Sequence, residues 1–346
     1  MNRHAVVLAL LSAALFGVST PAAKALLDQI SPTVLAGLFY SGAGIGIAIL
    51  RRARQNGSSE ASLSRAELPW LGAAIFSGGV IGPLLLMAGL SLTDAAAASL
   101  LLTLEGVATA LIAWFVFREN FDTRVALGMV CLVAGALVLS WTGEPTFSGL
   151  LGPLAIVGAC VAWGLDNNLT RKISLSDPLQ IVQFKGLLAG PFLLALGLLT
   201  GGRLPSPTVA VVAGTVGFFG YGVSLALFVL ALRQLGAART GAYFSTAPFL
   251  GAVAAILFLS EPLTFQLIAA GLMMGMGVWL HLTEHHEHEH DHAPMEHTHA
   301  HVHDEHHQHE HLPGDPPGEP HTHAHQHPRI KHRHPHVPDM HHQHRH

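Results

Sequence analysis

Ionisable side chains inside long apolar stretches are the residues of this chain best placed to do chemistry. Glu105 is the only charged residue within positions 95–117, AAAASLLLTLEGVATALIAWFVF. A stretch of that length spans a bilayer as a helix, and a carboxylate near its centre costs about 2.5–3.5 kcal/mol on insertion scales. A carrier coupled to protons needs a carboxylate of this kind, one that can titrate. The alternative is a structural Glu that is hydrogen-bonded to Thr103 or Thr109.

Asp166 and Lys185 are also ionisable residues in apolar surroundings, in WGLDNNLTRK and QIVQFKGLLAG. If these segments form a helical hairpin that turns near residues 175–176, each residue lies about ten positions from the turn. At about 1.5 Å per residue both lie roughly 14 Å from the turn, at one depth in the membrane. We therefore predict that they pair, either as a charged part of a substrate or proton site or as a structural ion pair between two helices.

Polar and aromatic residues nearby are further candidates for the same site. Asn167 and Asn168 are adjacent, and amides in hydrocarbon need hydrogen-bond partners. Trp163, Tyr221 and Tyr243 offer ring faces and a polar tip, although such residues also serve as core or interface anchors.

Three charged residues at span ends are predicted to have other roles. Lys24 can extend to the membrane interface and towards Asp28, four residues on. Glu119 and Glu261 close two apolar stretches and are interpreted as structural.

The C-terminal segment is rich in histidine: every histidine of the chain except His4 and His281 lies in residues 285–346. Imidazole binds Zn, Ni, Cu and Co, and an extended His-x-His segment places both rings on one side. We predict a disordered tail that binds a divalent transition metal; the alternative is a solvated low-complexity tail. The predicted metal-binding residues are His285, His286, His288, His290, His292, His297, His299, His301, His303, His306, His307, His309 and His311.

Composition places the rest of the chain in a membrane. Of the 346 residues, 50% are hydrophobic and 12% are charged, whereas soluble domains carry about 25% charged residues. We predict an all-α integral membrane protein with ten transmembrane helices. The predicted spans cover residues 5–27, 32–50, 68–90, 95–119, 123–141, 150–172, 178–199, 208–232, 237–259 and 264–282.

The spans form two similar sets of five. Residues 95–119 match residues 237–261 at an offset of 142, and FGVSTPAAK at 16–24 resembles WGLDNNLTR at 163–171 at an offset of 147. Because five is odd, the second set must cross the membrane in the opposite sense, which makes an inverted 5+5 repeat. The predicted units are a first repeat at 1–143, a second repeat at 148–283 and the histidine-rich tail at 284–346.

Basic residues indicate the orientation. Lys24, Arg203 and few others fall on one side of the predicted topology, and most basic residues fall on the other, which is therefore cytoplasmic. Both termini are then cytoplasmic, in a plasma (inner) membrane. The basic residues on the cytoplasmic side are Arg3, Arg51, Arg52, Arg54, Arg65, Arg118, Arg124, Arg171, Lys172 and Arg233.

The two sets of five spans, a glycine followed by a basic residue in spans 1 and 6, and a Glu after spans 4 and 9 resemble the drug/metabolite transporter superfamily with two EamA-type domains. The string LEGVATALIAWFVFRE is similar to that family's Leu-Glu-Pro…Gly-Glu block. Gly106 stands where the family often has Pro, and Pro248 stands at the matching place in the second repeat. The resemblance covers roughly residues 5–282 and leaves the tail out.

The resemblance implies a secondary transporter, not an enzyme, that exports a small organic solute by proton-coupled alternating access and requires no cofactor. Glu105, Asp166 and Lys185 would form its site. The expected partners are the lipid bilayer, the solute and divalent metal ions on the tail, with a homodimer compatible and no nucleic acid. Two alternatives stay open: a transporter of Ni, Co or Zn, and a membrane metal sensor or store in which the tail is the functional part.

Overall fold

A computed structural model describes residues 3–54, 61–116, 123–141, 147–174 and 176–283, together with four short segments of the tail. These residues form a helical bundle in which two segments, Ile75–Ile81 and Phe218–Val223, are π-helices. A single 3₁₀ turn, Arg65–Glu67, precedes the third span. The α-helices are α1 Arg3–Leu27, α2 Pro32–Arg54, α3 Leu68–Ala74, α4 Gly82–Ser91, α5 Ala95–Leu101, α6 Leu104–Phe115, α7 Thr123–Leu139, α8 Phe147–Arg171, α9 Pro178–Leu199, α10 Pro207–Gly217, α11 Ser224–Phe244, α12 Ala247–Leu259 and α13 Phe265–Leu282.

The helices occupy the positions of the predicted membrane spans. Within the described residues, seven helical segments are long and apolar enough to cross a bilayer. Three shorter apolar helices, Thr123–Leu139, Ala247–Leu259 and Phe265–Leu280, lie where spans 5, 9 and 10 are predicted. The prediction of an all-α, multi-pass membrane protein is confirmed.

Residues Ser224–Phe244 are helical in backbone but do not form one straight rod. The rings of Phe228 and Phe244 lie 4.9 Å apart, whereas sixteen residues of straight α-helix would separate their Cα atoms by about 24 Å. The chain therefore reverses direction between these two residues. This reversal falls at the junction that the sequence predicts between spans 8 and 9.

Irregular backbone recurs at the spacing of the repeat. The π-helix Ile75–Ile81 in the third span is matched by Phe218–Val223 in the eighth. The break between α5 and α6 after Leu101 is matched by the break between α11 and α12 after Phe244. Both pairs are separated by about the same offset as the two sequence copies, so the two halves share local backbone deviations as well as span positions.

Helix contacts repeat in the same way. Gly17 of α1 lies against the backbone of Ala247 and Gly251 in α12. Gly164 of α8 lies against the backbone of Ala108 and Thr109 in α6. The second contact repeats the first with the two halves exchanged, which is the pattern that an inverted repeat produces.

The second helix of each half forms a close seam between the halves. A Cβ atom added at Gly44 of α2 would overlap the backbone of Gly186 and Leu187 in α9, and one added at Gly186 would overlap Gly44. Small residues at such positions let two helix backbones touch, which is how membrane helices gain packing energy without a hydrophobic driving force.

Charged side chains tie down the turn between α4 and α5, on the membrane face opposite the chain termini. The Nζ atom of Lys24 donates to the carbonyl oxygens of Leu90 and Thr93, both at 2.8 Å, and the predicted contact with Asp28 is wrong. The two carboxylate oxygens of Glu261 accept from the backbone N–H groups of Ala95 and Ala96, both at 2.7 Å. A cation thus meets carbonyl groups and an anion meets the first N–H groups of a helix. Glu119, the counterpart of Glu261, lies outside the described residues.

Four short strands are found in the tail, outside the helical bundle. Strand β1 (Glu287–Asp291) pairs with β4 (Lys331–Pro335), and β2 (Met295–His301) pairs with β3 (His321–His327), both antiparallel. The sequence analysis predicts disorder for this tail, whereas the structure has strands in these four segments. Histidine alternates with other residues along them, and a two-residue period suits a strand. The predicted metal-binding residues that lie outside the described residues are His285, His286, His292, His303, His306, His307, His309 and His311.

Substituting Gly44 by Ala should lower the melting temperature of the detergent-purified protein. The new methyl group overlaps backbone atoms of α9, which cannot move aside as a flexible side chain could. Overpacking of this kind costs about 1–3 kcal/mol. The matched control is Gly72→Ala, because a Cβ atom at Gly72 meets nothing within 4 Å. The control should melt at the wild-type temperature or slightly above it, since Ala favours a helix. Equal melting of the two variants would contradict the close seam.

Candidate functional site

Asp166 and Lys185 form a buried ion pair between α8 and α9. The Nζ atom of Lys185 donates to Oδ1 of Asp166 at 2.6 Å and to Oγ1 of Thr170 at 2.8 Å. The Thr170 hydroxyl in turn donates to Oδ1 of Asp166 at 2.8 Å. Asp166 is 8% exposed and Lys185 3% exposed. The pairing expected from equal depth in a helical hairpin is present, and each member of the triad satisfies the other two.

Glu105 lies at the point where the fourth span breaks. Residues Leu102 and Thr103 separate α5 from α6, and Glu105 is in the first turn of α6, where the positive end of the helix dipole favours a carboxylate. The Thr103 hydroxyl donates to the carbonyl of Leu100, so it does not bond to Glu105 as the structural alternative supposed. The break therefore places the carboxylate within the membrane at a helix start.

Asn167 supplies the hydrogen bond to Glu105. Its Nδ2 atom donates to Oε1 of Glu105 at 2.8 Å and to Oγ1 of Thr109 at 3.2 Å. Among the described side chains no cation forms an ion pair with Glu105, and Lys185 pairs with Asp166 instead. Glu105 is thus held by a neutral amide, whereas Asp166 is neutralised by a lysine.

Asn168 does not bond to Glu105, unlike the adjacent Asn167. Its Nδ2 atom donates to the carbonyl of Gly164 at 2.8 Å and to the carbonyl of Thr109 at 3.0 Å. It is buried, and it joins α8 to α6 through backbone groups rather than lining the space between the helices. The structure therefore places Asn167 at the site and Asn168 behind it.

The π-helix Ile75–Ile81 leaves the carbonyl of Gly78 available to side chains that line the site. In this π-helix the N–H of Gly82 donates to the carbonyl of Ser77. The carbonyl of Gly78 would accept from the next residue, Pro83, which has no N–H, so it lacks a backbone donor. The Tyr40 hydroxyl and the Trp163 Nε1–H fill that role, at 2.7 and 2.9 Å. Local π-helix of this type is frequent at functional sites.

The absence of a side chain at Gly78 also brings α8 close. A Cβ atom at Gly78 would overlap the carboxylate of Asp166. In the other half, a Cβ atom at Gly220 would meet Ser19, which is the residue that the sequence repeat aligns with Asp166. The two π-helices thus accept the same helix contact, with an acid in one half and a hydroxyl in the other.

These side chains surround one cavity in the middle of the bundle, with about 690 Å³ of space including the part open to solvent. Val182, four residues from the start of α9, and Phe228, near the end of the eighth span, are part of its wall. Both are nearer the membrane face that carries the chain termini, so the cavity extends from mid-membrane towards that face. The lining residues are Phe16, Tyr40, Ala43, Glu105, Trp163, Asp166, Asn167, Val182, Lys185, Gly186, Gly220, Tyr221, Ser224, Leu225, Phe228 and Phe244.

Aromatic rings make up much of the wall. Phe16 has its ring centroid 5.9 Å from that of Trp163, 5.8 Å from that of Tyr221 and 5.4 Å from that of Phe244. Tyr40 and Tyr221 lie 5.4 Å apart. These separations are typical of interacting aromatic pairs, so the rings form a continuous surface that faces the carboxylates.

Tyr243, a predicted site residue, does not line the cavity. It packs against a small cluster of Ala5, Ala9 and Ala231, and its neighbour Phe244 lines the cavity instead. One step along a helix turns a side chain by about 100°, which is enough to exchange the two positions. Phe16 was missed although the repeat aligns it with Trp163, and that alignment was the signal that could have found it.

Cysteine and histidine contribute little to the described part of the site. Cys160 is buried and its Sγ atom lies 3.7 Å from the carbonyl of Leu101, away from the cavity wall. No group of three or more His, Cys, Asp or Glu residues suited to a metal ion is found among the residues that the structure describes.

Comparisons with known proteins agree with the fold and its duplication. The EamA-like transporter family matches twice, over residues 3–141 and 150–283. An uncharacterized transporter of Methanothermobacter thermautotrophicus is 30% identical over 284 residues, which is 77% of this chain and 82% of that protein. The uncharacterized transporter YvbV of Bacillus subtilis is 25% identical over 82% of this chain and 92% of that protein. One solved structure, titled only as a crystal structure of a protein, has a TM-score of 0.64 at 16% identity, over 82% of this chain and 98% of that one.

Removing Lys185 alone should destabilise the protein strongly. The Lys185→Met variant leaves Asp166 buried without a counter-ion, which typically costs about 3–5 kcal/mol. The double variant Asp166→Leu/Lys185→Met removes both charges and should regain most of the loss. Thermal melts of the detergent-purified variants measure the difference, with the exposed cation variant Arg52→Ala as control. Equal melting of the single and double variants would show that the pair contributes no coupling.

Proposed function

This chain belongs to the EamA-like transporter family, and we propose that it exports a small organic solute across the plasma membrane by alternating access coupled to protons. The observation that carries the proposal is Glu105, a carboxylate at mid-membrane that lines the cavity and is held by the neutral amide of Asn167. A group placed in this way can exchange a proton with the cavity without breaking an ion pair.

The direction in which the cavity extends is compatible with export. The cavity extends towards the face that carries the termini, which the basic residues assign to the cytoplasm. On the other face, Lys24 and Glu261 tie the α4–α5 turn to the first and ninth spans. In the proposed cycle the cavity in this state receives the solute from the cytoplasm, before the exporter changes state.

The two carboxylates have separate roles in this mechanism. Asp166 is committed to Lys185 and Thr170, so it fixes the geometry of α8 and α9 around the cavity. Glu105 takes up or releases the proton, and Asn167 holds its orientation in both protonation states by donating to Oε1. The exchange of one proton at Glu105 then couples solute binding to the change of state.

Replacing Glu105 by Gln should abolish solute-driven proton movement in proteoliposomes. Gln still accepts the hydrogen bond from Asn167 but cannot titrate, so a pH gradient reported by an entrapped dye should no longer dissipate when solute is added. The control is Asp28→Asn, an exposed carboxylate outside the cavity, which should retain the wild-type rate. An unchanged rate in Glu105→Gln would show that Glu105 is not the coupling group.

The tail supports a second, separate activity: we propose that it binds a divalent transition metal such as Zn, Ni or Co. Residues directly opposite one another in an antiparallel pair have Cβ atoms about 4.5–5.5 Å apart, and alternate residues share a face. Two or more imidazoles on one face are suitable ligands for these metals. The opposed histidines are His297 with His325, His299 with His323, His301 with His321, His288 with His334 and His290 with His332.

The metal is proposed as a ligand of the tail rather than as cargo. The charged groups of the cavity wall are Glu105, Asp166 and Lys185, and one of the two carboxylates is already paired. Imidazole and thiolate, the ligands that these metals prefer, are not among the lining side chains that the structure describes.

Truncation after Glu284 separates these two activities. The full chain should bind zinc in a calorimetric titration, and the truncated chain should not, while both dissipate a pH gradient equally with the transported solute. Proteoliposome uptake of nickel, cobalt and zinc should match empty liposomes for both chains. Metal uptake above that background would identify a metal transporter instead, and its change on truncation would measure how far the tail supplies the cavity.

A further inference from the structure

The charges that line the cavity do not cancel. Glu105, Asp166 and Lys185 are its acidic and basic side chains, and Lys185 is bonded to Asp166 and Thr170. The ionised form of Glu105 is therefore left without a cation among the described residues. When Glu105 is ionised, the described side chains of the cavity carry one negative charge in excess, located at Glu105.

The surrounding walls favour a positive rather than a negative ligand. The polar ends of Tyr40 and Trp163 donate to the Gly78 carbonyl, so these residues offer ring surface to the cavity. Phe16, Tyr221 and Phe244 extend that surface. The face of an aromatic ring attracts a cation, with a strength that rises when water is excluded.

Other ligand classes lack suitable partners. An anion would approach Glu105, would find the Lys185 ammonium already used, and would find the Asn167 amide donating to Glu105 and Thr109. A bare metal ion needs several oxygen, nitrogen or sulfur ligands, and no such group is found among the described residues. The cavity wall is mainly aromatic and apolar with a few polar groups, which is the character of pockets that hold small organic molecules.

We propose that the cavity binds a monovalent organic cation, an amine or ammonium group on an aromatic or branched apolar body, with the charge against Glu105 and between the ring faces. The inference rests on the proposed transport function and names its substrate class. The sequence repeat aligns Glu105 with Ala247 in the second half, so the acid is present once per chain. One chain therefore binds one cation.

Proton coupling follows from the same contact. A protonated Glu105 has no charge for the solute, so the proton and the organic cation exclude one another at this carboxylate. The other titratable side chains around it are Asp166 with its partner Lys185, Tyr40 and Tyr221 of the cavity wall, and Cys160 behind that wall. One cation would move out for each proton that moves in, and the exchange carries no net charge.

Three probes of nearly equal size test the charge of the ligand: phenethylamine as its ammonium ion, 2-phenylethanol and phenylacetate. Binding to the full chain in detergent is measured by calorimetry and by the shift in melting temperature. The ammonium ion should bind about tenfold or more tightly than the alcohol, and phenylacetate should bind more weakly still. Equal binding of all three, or no binding of the ammonium ion at millimolar concentration, overturns the proposal.

Variants assign the preference to the carboxylate and the rings. Glu105→Gln should bind the ammonium ion no better than the alcohol and should lose the weakening of binding that wild type shows as pH falls. Glu105→Asp should keep part of both effects, and Asp28→Asn should be unchanged. Trp163→Leu should weaken binding of the ammonium ion more than that of the alcohol. A preference for the ammonium ion that survives Glu105→Gln overturns the assignment.

Transport distinguishes this inference from the function on which it rests. Both outcomes are measured as rates above those of empty liposomes, because the neutral forms of the amine and of the acid cross a bilayer unaided. If the ammonium ion binds through Glu105 but moves no protons above that background, the substrate class stands for the cavity and the proposed export fails. If phenylacetate or 2-phenylethanol dissipates the pH gradient above background and the ammonium ion does not, the transport function stands and the cationic substrate is wrong.

Discussion

Every polar group within the hydrocarbon layer must find its partner inside the protein, and the arrangement of this bundle depends on that requirement. Lys185, Asp166 and Thr170 satisfy one another, and the Gly78 carbonyl receives the hydrogen bonds of Tyr40 and Trp163. These contacts join four spans around one point. Glu105 is the ionisable group in this set that keeps an oxygen for something other than the protein itself. The candidate binding site is therefore centred on Glu105, the group that is left incompletely paired.

The sequence allowed the spans and the main ion pair to be predicted, because both depend on local quantities. Apolar length determines a span, and equal distance from a turn places Asp166 and Lys185 at one depth. The aromatic wall was harder to predict: Trp163 and Tyr221 were candidates by residue type, but Phe16 and Tyr40 come from two other spans whose rotation depends on packing. Tyr243 was assigned in place of Phe244 for the same reason: depth follows from counting, but the direction in which a side chain points does not.

Duplication supplied a symmetric backbone, and substitution then made its chemistry asymmetric. Both halves have a π-helix, a broken span and a glycine that admits the neighbouring helix. Ser19 stands where the second half has Asp166, and Ala247 stands where the first half has Glu105. The acids of the cavity thus come from positions that have no acidic counterpart. Two equivalent halves can exchange conformations while they share one chemically distinct site, which suits alternating access.

The close contact between α2 and α9 has a mechanical consequence. Where Gly44 meets Gly186, backbone touches backbone without interlocked side chains. Pulling the helices apart would open a gap along the whole line of contact and lose its dispersion energy. At this point a slight rotation of one helix against the other requires no change of rotamer. Side chains join the same two helices elsewhere, as where Nε of Arg51 donates to Oδ2 of Asp177 at 2.9 Å. The glycine contact is therefore the place along this seam that resists separation more than it resists rotation.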